Sequence, residues 1–131
     1  PIDDDLIVAG ILDEDSGWQR AHELLKMPNP PTAIMTGNDV MAFGVMRTIQ
    51  ELGMQVGDDV AVGGFDNLPL AEYIHPGLTT VHQSIYEIGR QLTEILLQII
   101  TGQPPQNLAL LIQPELIIRE SSGKSQFQDS E

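Results

Sequence analysis

Residues 33–67 read AIMTGNDVMAFGVMRTIQELGMQVGDDVAVGGFDN. Two short apolar runs, residues 33–35 and 60–62, have the character of buried parallel strands. Glycine and polar residues follow each: Gly37, Asn38 and Asp39 after the first, and Gly63 to Asn67, reading GGFDN, after the second. Between them Val40, Met41, Val45, Met46, Ile49 and Leu52 recur at helical spacing until Gly53 stops the run. The pattern predicts a strand–helix–strand unit. Parallel strands bring their carboxyl ends to one edge of a sheet, and open α/β sheets bind ligands at that edge. Asn38 and Asp66 are therefore expected to share a crevice. Either Asn38 or Asp39 should cap the helix, since a cap needs a short side chain with an acceptor oxygen. Asn38 offers an acceptor and donors, and ionised Asp66 offers acceptors only, a pair suited to hydroxyls or to the N–H edge of a heterocycle.

Working outward, 131 residues suffice for one modest domain with a core. The chain has six Lys and Arg against nineteen Asp and Glu, a formal net charge of −13. The basic residues form no cluster, so this segment is not expected to grip a nucleic-acid backbone. The absence of cysteine removes disulfides, thiolate metal sites and thiol nucleophiles. No window approaches the ~18 apolar residues of a membrane span, and no basic leader precedes an apolar run. The expectation is a cytoplasmic protein with no membrane partner.

Upstream, residues 6–9 read as a short buried strand, and Asp13, Glu14 and Asp15 as a solvated acidic loop rather than a metal site. Ser16 with Gln19 resembles a capping box for a helix over residues 16–27. Trp18 sits in the apolar stripe of that helix, which favours core packing over ligand stacking; His22 receives no role. Downstream, residues 67–73 predict a short capped helix with Pro69 near its first turn. Residues 78–81 are β-prone. Residues 84–101 carry the clearest helix signature, with a Ser84–Glu87 capping box, a stripe of Ile85, Ile88, Leu92, Ile95, Leu96 and Ile99, and Gly102 as the stop. Residues 108–112 and 114–119 read as extended, with Pro114 marking an edge or a strand start. Residues 121–131 are polar and aperiodic, and are expected to be disordered. The layout is α/β. Phe43 lies off the stripe of its helix and is a candidate for contact with a second copy of the chain.

From PTAIMTGNDVMAFG through GDDVAVGGFDNLPLAEYIHPGLTTVHQ to QPELIIRESSG, consecutive motifs agree in order and spacing with one family. Over most of residues 6–123 the chain resembles the effector-binding region of LacI/GalR-family bacterial regulators. The resemblance implies a parallel-sheet, periplasmic-binding-protein-like subdomain, mostly the C-terminal one of a two-subdomain core. On that basis residues 1–81 belong to the C-terminal subdomain. Residues 82–106 cross over to pack on an N-terminal subdomain that lies outside this chain, residues 107–120 return, and residues 121–131 form the tail. A DNA-binding headpiece and an effector-holding arginine would lie upstream.

Carried across by position, Asp66 and Asn38 resemble effector contacts. Asn67 stands where a second Asp is common. Leu12 stands where sugar-binding members often place an aromatic, and Ile11 where a polar residue is frequent. Phe43 and Ile74 resemble dimer-interface positions. The implied function is sensing of a small effector, a sugar or related metabolite, coupled in a homodimer to operator affinity. The resemblance calls for no cofactor, no metal and no catalytic residue. An exported sugar-binding protein of the same fold is the alternative, separable by whether a helix-turn-helix or a signal peptide lies upstream. An enzyme or phospho-acceptor built on Asp66 would need a base, nucleophile or metal constellation, for which three scattered histidines offer little.

Overall fold

A computed structural model describes residues 3–103 and 109–123. Among the described residues four α-helices and four strands alternate: α1 (Glu14–Leu25), β1 (Ala33–Met35), α2 (Asp39–Glu51), β2 (Ala61–Asp66), α3 (Leu70–Tyr73), β3 (Thr79–His82), α4 (Ile85–Ile100) and β4 (Glu115–Ile117). The strands form one sheet in the order β1-β2-β3-β4. β1 runs parallel to β2 with Ile34 opposite Val62, and β2 parallel to β3 with Gly64 opposite Thr80. β4 returns antiparallel on the far edge, with Thr80 opposite Ile117. It begins immediately after Pro114, which could not have donated to the ladder.

The core lies where α2 covers β2 and meets α1. Ile49 and Ala42 of α2, Ala21 of α1, Val62 of β2 and Leu78 are all within 1% of full burial. Two glycines set the helix–helix distance. A Cβ on Gly17 would stand 2.1 Å from the Met41 carbonyl oxygen, and one on Gly44 would stand 2.0 Å from that of Glu14. The two backbones touch, and no side chain fits at either crossing point.

Several expectations are corrected. Residues 6–9 are not a strand. A 3-10 turn spans Asp4–Leu6, and the segment beyond it is unpaired, with Ile7 66% exposed. A strand exists only through its neighbour's hydrogen bonds, and residues 6–8 instead line a cavity of about 310 Å³ together with α1 and β1.

The acidic triplet belongs to α1. Asp13 is its N-cap, accepting from the Ser16 amide at 2.8 Å, and Glu14 and Asp15 occupy the first turn where the helix dipole favours negative charge. Ser16 instead accepts from the Ile11 amide through its hydroxyl, so no Ser16–Gln19 box forms. Ser84 makes no side-chain cap bond, and the Glu87 carboxylate turns along the helix to Arg90 and Gln91. Asn67 does not cap α3, which follows Pro69.

β2 runs past the predicted residues 60–62 through both glycines to Asp66, and Val60 forms only an isolated bridge with Val56. Of the predicted strand over residues 108–112, Leu108 lies outside the described residues, and residues 109–112 carry no strand conformation.

Residues 121–123 are ordered, against the expectation of disorder from 121 onward. Glu120–Ser122 form a 3-10 turn with Ser121 fully buried. The Ser121 hydroxyl donates to the Val62 carbonyl at 2.6 Å and accepts from the Thr79 amide at 2.8 Å, bridging β2 and β3. Polarity suggested disorder here, but these side chains satisfy buried sheet groups. The expected disorder of residues 124–131 lies outside the described residues.

α4 carries no buried residue. Its apolar stripe is open, with Leu92 60% and Leu96 56% exposed, and residues 109–112 line a groove of about 440 Å³ beside it.

Candidate functional site

The carboxyl ends of β1 and β2 form the site, and the first residues beyond β1 build one wall. Asn38 is the N-cap of α2, with extended backbone, and its Oδ1 accepts from the Met41 amide at 2.9 Å. Its Nδ2 donates to the Leu12 carbonyl at 3.3 Å, so the structure brings Asn38 and Leu12 together. The Leu12 side chain is 66% exposed and lies over Gly37, where a Cβ would meet it at 3.1 Å. The Asn38 amide keeps one N–H and one lone pair beyond these two bonds.

Asp39 was the other candidate cap, and its role is different. Its carboxylate is wholly buried, accepting from the Leu68 amide at 2.7 Å through Oδ2 and from the Thr80 hydroxyl at 2.5 Å through Oδ1. This joins the start of α2 to the segment just past β2, so Asn38 and Asp66 stand on the same edge of the sheet. Gly64 makes the room: a Cβ there would lie 2.3 Å from Asp39 Oδ1.

The second wall is the end of β2. Among the described residues, Asp66 and Asn67 are the two non-glycine residues with positive φ, at 112° and 55°. Asn and Asp enter this region more readily than other side chains, and φ of 112° is strained for any of them. Strain of this kind concentrates where a side chain must be aimed. Asp66 is half-buried and accepts from Gln83 Nε2 at 2.8 Å, which leaves most of its acceptor capacity unspent.

Asn67 is otherwise engaged. Its Oδ1 accepts from Arg119 Nη2 at 3.0 Å, its Nδ2 meets His82 Nδ1 at 3.3 Å, and its backbone amide donates to the Thr80 hydroxyl at 3.3 Å. Both ends of its side chain are held by protein partners.

Sequence reading missed Gln83, His82, Thr80 and Arg119. His82 lies opposite Asp66 in the parallel register, a pairing visible only once β2 is known to extend to Asp66. Arg119 reaches the site from 52 residues away, and its one local signal was being the sole basic residue in an apolar extended stretch.

Phe43 and Ile74 also come together, on a separate face. Both are half-buried against the core and line a shallow recess of about 260 Å³ with Met46 and Leu70. Tyr73 beside them is 77% exposed. Trp18 is on neither surface. It lies half-buried at the α1–α2 seam, where its Nε1 donates to Glu51 at 2.7 Å and its ring meets that of His22 edge-on at 4.6 Å.

A family profile described as periplasmic binding protein-like domain matches residues 4–122. The HTH-type transcriptional repressor PurR of Vibrio parahaemolyticus serotype O3:K6 is 40% identical over 124 residues, which is 95% of this chain and 37% of that protein. The crystal structure of a regulatory protein of LacI family from Chloroflexus aggregans superposes with a TM-score of 0.88 at 41% identity, covering 94% of this chain and 44% of that one. The transcriptional regulator CelR in its cellobiose complex superposes with a TM-score of 0.86 at 32% identity, covering 92% and 37%. The chain spans less than half the length of these relatives. Among the described residues no helix is long and apolar enough to cross a membrane. The chain belongs to the periplasmic binding protein-like domain family, in the α/β form that serves as the effector-binding region of LacI/GalR-type regulators.

Proposed function

We propose that this chain is the C-terminal part of the effector-sensing core of a cytoplasmic, dimeric transcriptional regulator. Asp66 and Asn38 hold a small polyhydroxy effector, a sugar or a related metabolite, with Leu12 as an apolar neighbour. The carrying observation is the Asp39–Leu68 hydrogen bond, which draws the Asn38 cap and the Asp66 strand end to one rim. Acceptor capacity at Asp66 and spare donor and acceptor capacity at Asn38 suit hydroxyl groups. Structural neighbours described as complexes with cellobiose and with lactose support the carbohydrate class. Asn67, engaged by Arg119 and His82, supports the rim from behind rather than meeting the effector directly.

The exposed stripe of α4 is consistent with a second subdomain covering it, which would complete the crevice and let ligand-driven closure bias a DNA-binding headpiece. The test is operator affinity of the full-length protein against a panel including cellobiose and lactose. Asp66→Ala should abolish the effector response and leave the unliganded operator affinity in place. An unchanged effector response would remove Asp66 from the role.

A further inference from the structure

Arg119 follows β4, and its guanidinium is committed to two acceptors. Nη1 donates to the Leu78 carbonyl at 2.7 Å and Nη2 to the Asn67 side chain at 3.0 Å. A guanidinium has donors and no acceptor. The Asn67 atom that meets it is therefore the oxygen, which orients an amide whose two ends are otherwise hard to tell apart. The amide nitrogen then faces His82 Nδ1 at 3.3 Å. An amide NH₂ only donates, so His82 Nδ1 accepts and the ring proton resides on Nε2. His82 is half-buried, and its Nε2 has no protein partner among the described residues and is not closed off from solvent. The parallel register sets His82 directly beside Asp66.

We infer that Arg119, acting through Asn67, holds His82 in the Nε2–H tautomer and thereby sets the hydrogen-bonding polarity of the rim: acceptor at Asp66, donor at His82. Arg119 is a positioning residue; it touches no ligand. An imidazole without this relay could offer either nitrogen as the donor. The consequence for recognition rests on the reading of the Asp66 rim as the effector site. A ligand that donates at one position and accepts at the next, as a hydroxyl beside a ring or ether oxygen does, fits this polarity. A ligand offering donors at both positions meets the His82 N–H head-on.

The relay is testable without any effector. In the full-length protein carrying ¹⁵N-labelled imidazoles, the His82 ring pattern in long-range proton–nitrogen correlation spectra is the one that His82→Gln removes. At a pH where the rings carry one proton each, His82 should show an unprotonated Nδ1 and a protonated Nε2. Asn67→Asp keeps an acceptor for Arg119 and a residue tolerant of left-handed backbone, but removes the NH₂. The ring proton should then move to Nδ1 and donate to the new carboxylate.

Arg119→Met frees the amide to rotate and should give a mixture of the two tautomers. Should that variant fail to fold, Asn67→Asp carries the test alone. A role for Arg119 in packing only would lower the melting temperature and leave the proton where it was. A wild-type ring protonated on Nδ1, or an Asn67→Asp spectrum unchanged from wild type, overturns the relay. A full effector response in Asp66→Ala overturns the recognition consequence, whatever the spectra show of the tautomer.

Discussion

Asp39 Oδ1 lies 2.5 Å from Thr80 Oγ1, and the two residues are 0% and 1% exposed. No cation pairs with this buried carboxylate among the described residues. It is sustained by the two donors it accepts from and by its place in the first turn of α2, where the helix dipole favours negative charge. Thr80 in turn accepts from the Asn67 amide, so one hydrogen-bonded chain runs from α2 through β3 to the segment that follows Asp66. Asp39→Ala leaves the Leu68 amide and the Thr80 hydroxyl without their acceptor and should cost about 3 kcal/mol of stability. Asp39→Asn retains one acceptor for Leu68 and should cost roughly 1–2 kcal/mol. Urea unfolding curves separate the two, and equal midpoints for wild type and the alanine variant would contradict the tie.

Ser121 is the second buried junction. Its hydroxyl holds the Val62 carbonyl and the Thr79 amide together, and its own amide donates to the Gly77 carbonyl at 2.9 Å. Ser121→Ala should lower stability by about 2 kcal/mol, seen as a reduced melting temperature. Ser122→Ala removes an exposed hydroxyl that meets Thr79 and donates to the Arg119 carbonyl, and should shift it much less. Reversal of that ranking would place the C-terminal tie elsewhere.

Glu51 supplies a pH signature with its own reporter. The Trp18 indole N–H, and after it the Arg47 guanidinium, stabilise the Glu51 carboxylate and hold its pKa below the usual glutamate value. A depressed folded-state pKa means the contribution is complete above the unfolded value and is lost as pH falls through the lower folded one. Trp18 is the only tryptophan. Its fluorescence should therefore change with a midpoint below that of an ordinary glutamate, and Glu51→Gln should remove that step. Because the pair is exposed, high salt should bring the midpoint back toward the ordinary value. A midpoint unmoved by Glu51→Gln would assign the transition to another group.

Phe43 and Ile74 tie the proposed assembly to one face. Phe43→Asp places a charge in the recess they share with Met46 and Leu70. In the full-length regulator this should convert a dimer to a monomer, halving the mass in sedimentation equilibrium. Trp18→Phe, at the α1–α2 seam, should leave the mass unchanged. A Phe43→Asp protein that still sediments as the dimer would move the interface to another surface.

Much of the architecture was readable because its signals are local. The strand–helix–strand unit over residues 33–66 rests on short apolar runs and helical spacing, which hold wherever the unit is placed. The motifs that carry the family resemblance are likewise contiguous. The capping assignment failed at Ser16 because Asp13 takes the cap of α1, while Ser84 holds the N-cap position of α4 without a side-chain bond. The choice depends on which oxygen reaches the free amides of the first turn. Residues 6–9 have strand composition without a strand partner, and composition does not supply one.

Sequence alone determined the family, the α/β class and the shared edge of Asn38 and Asp66, since each follows from periodicity or contiguous motif. Tertiary structure decided that Asn38 caps while Asp39 is buried, that Asn67 is held by Arg119 and His82, and that Ser121 closes the sheet. The reason is physical. A hydrogen bond between residues 41 to 59 positions apart leaves no periodic trace in the chain, and which polar group is buried depends on where the backbone brings its partner.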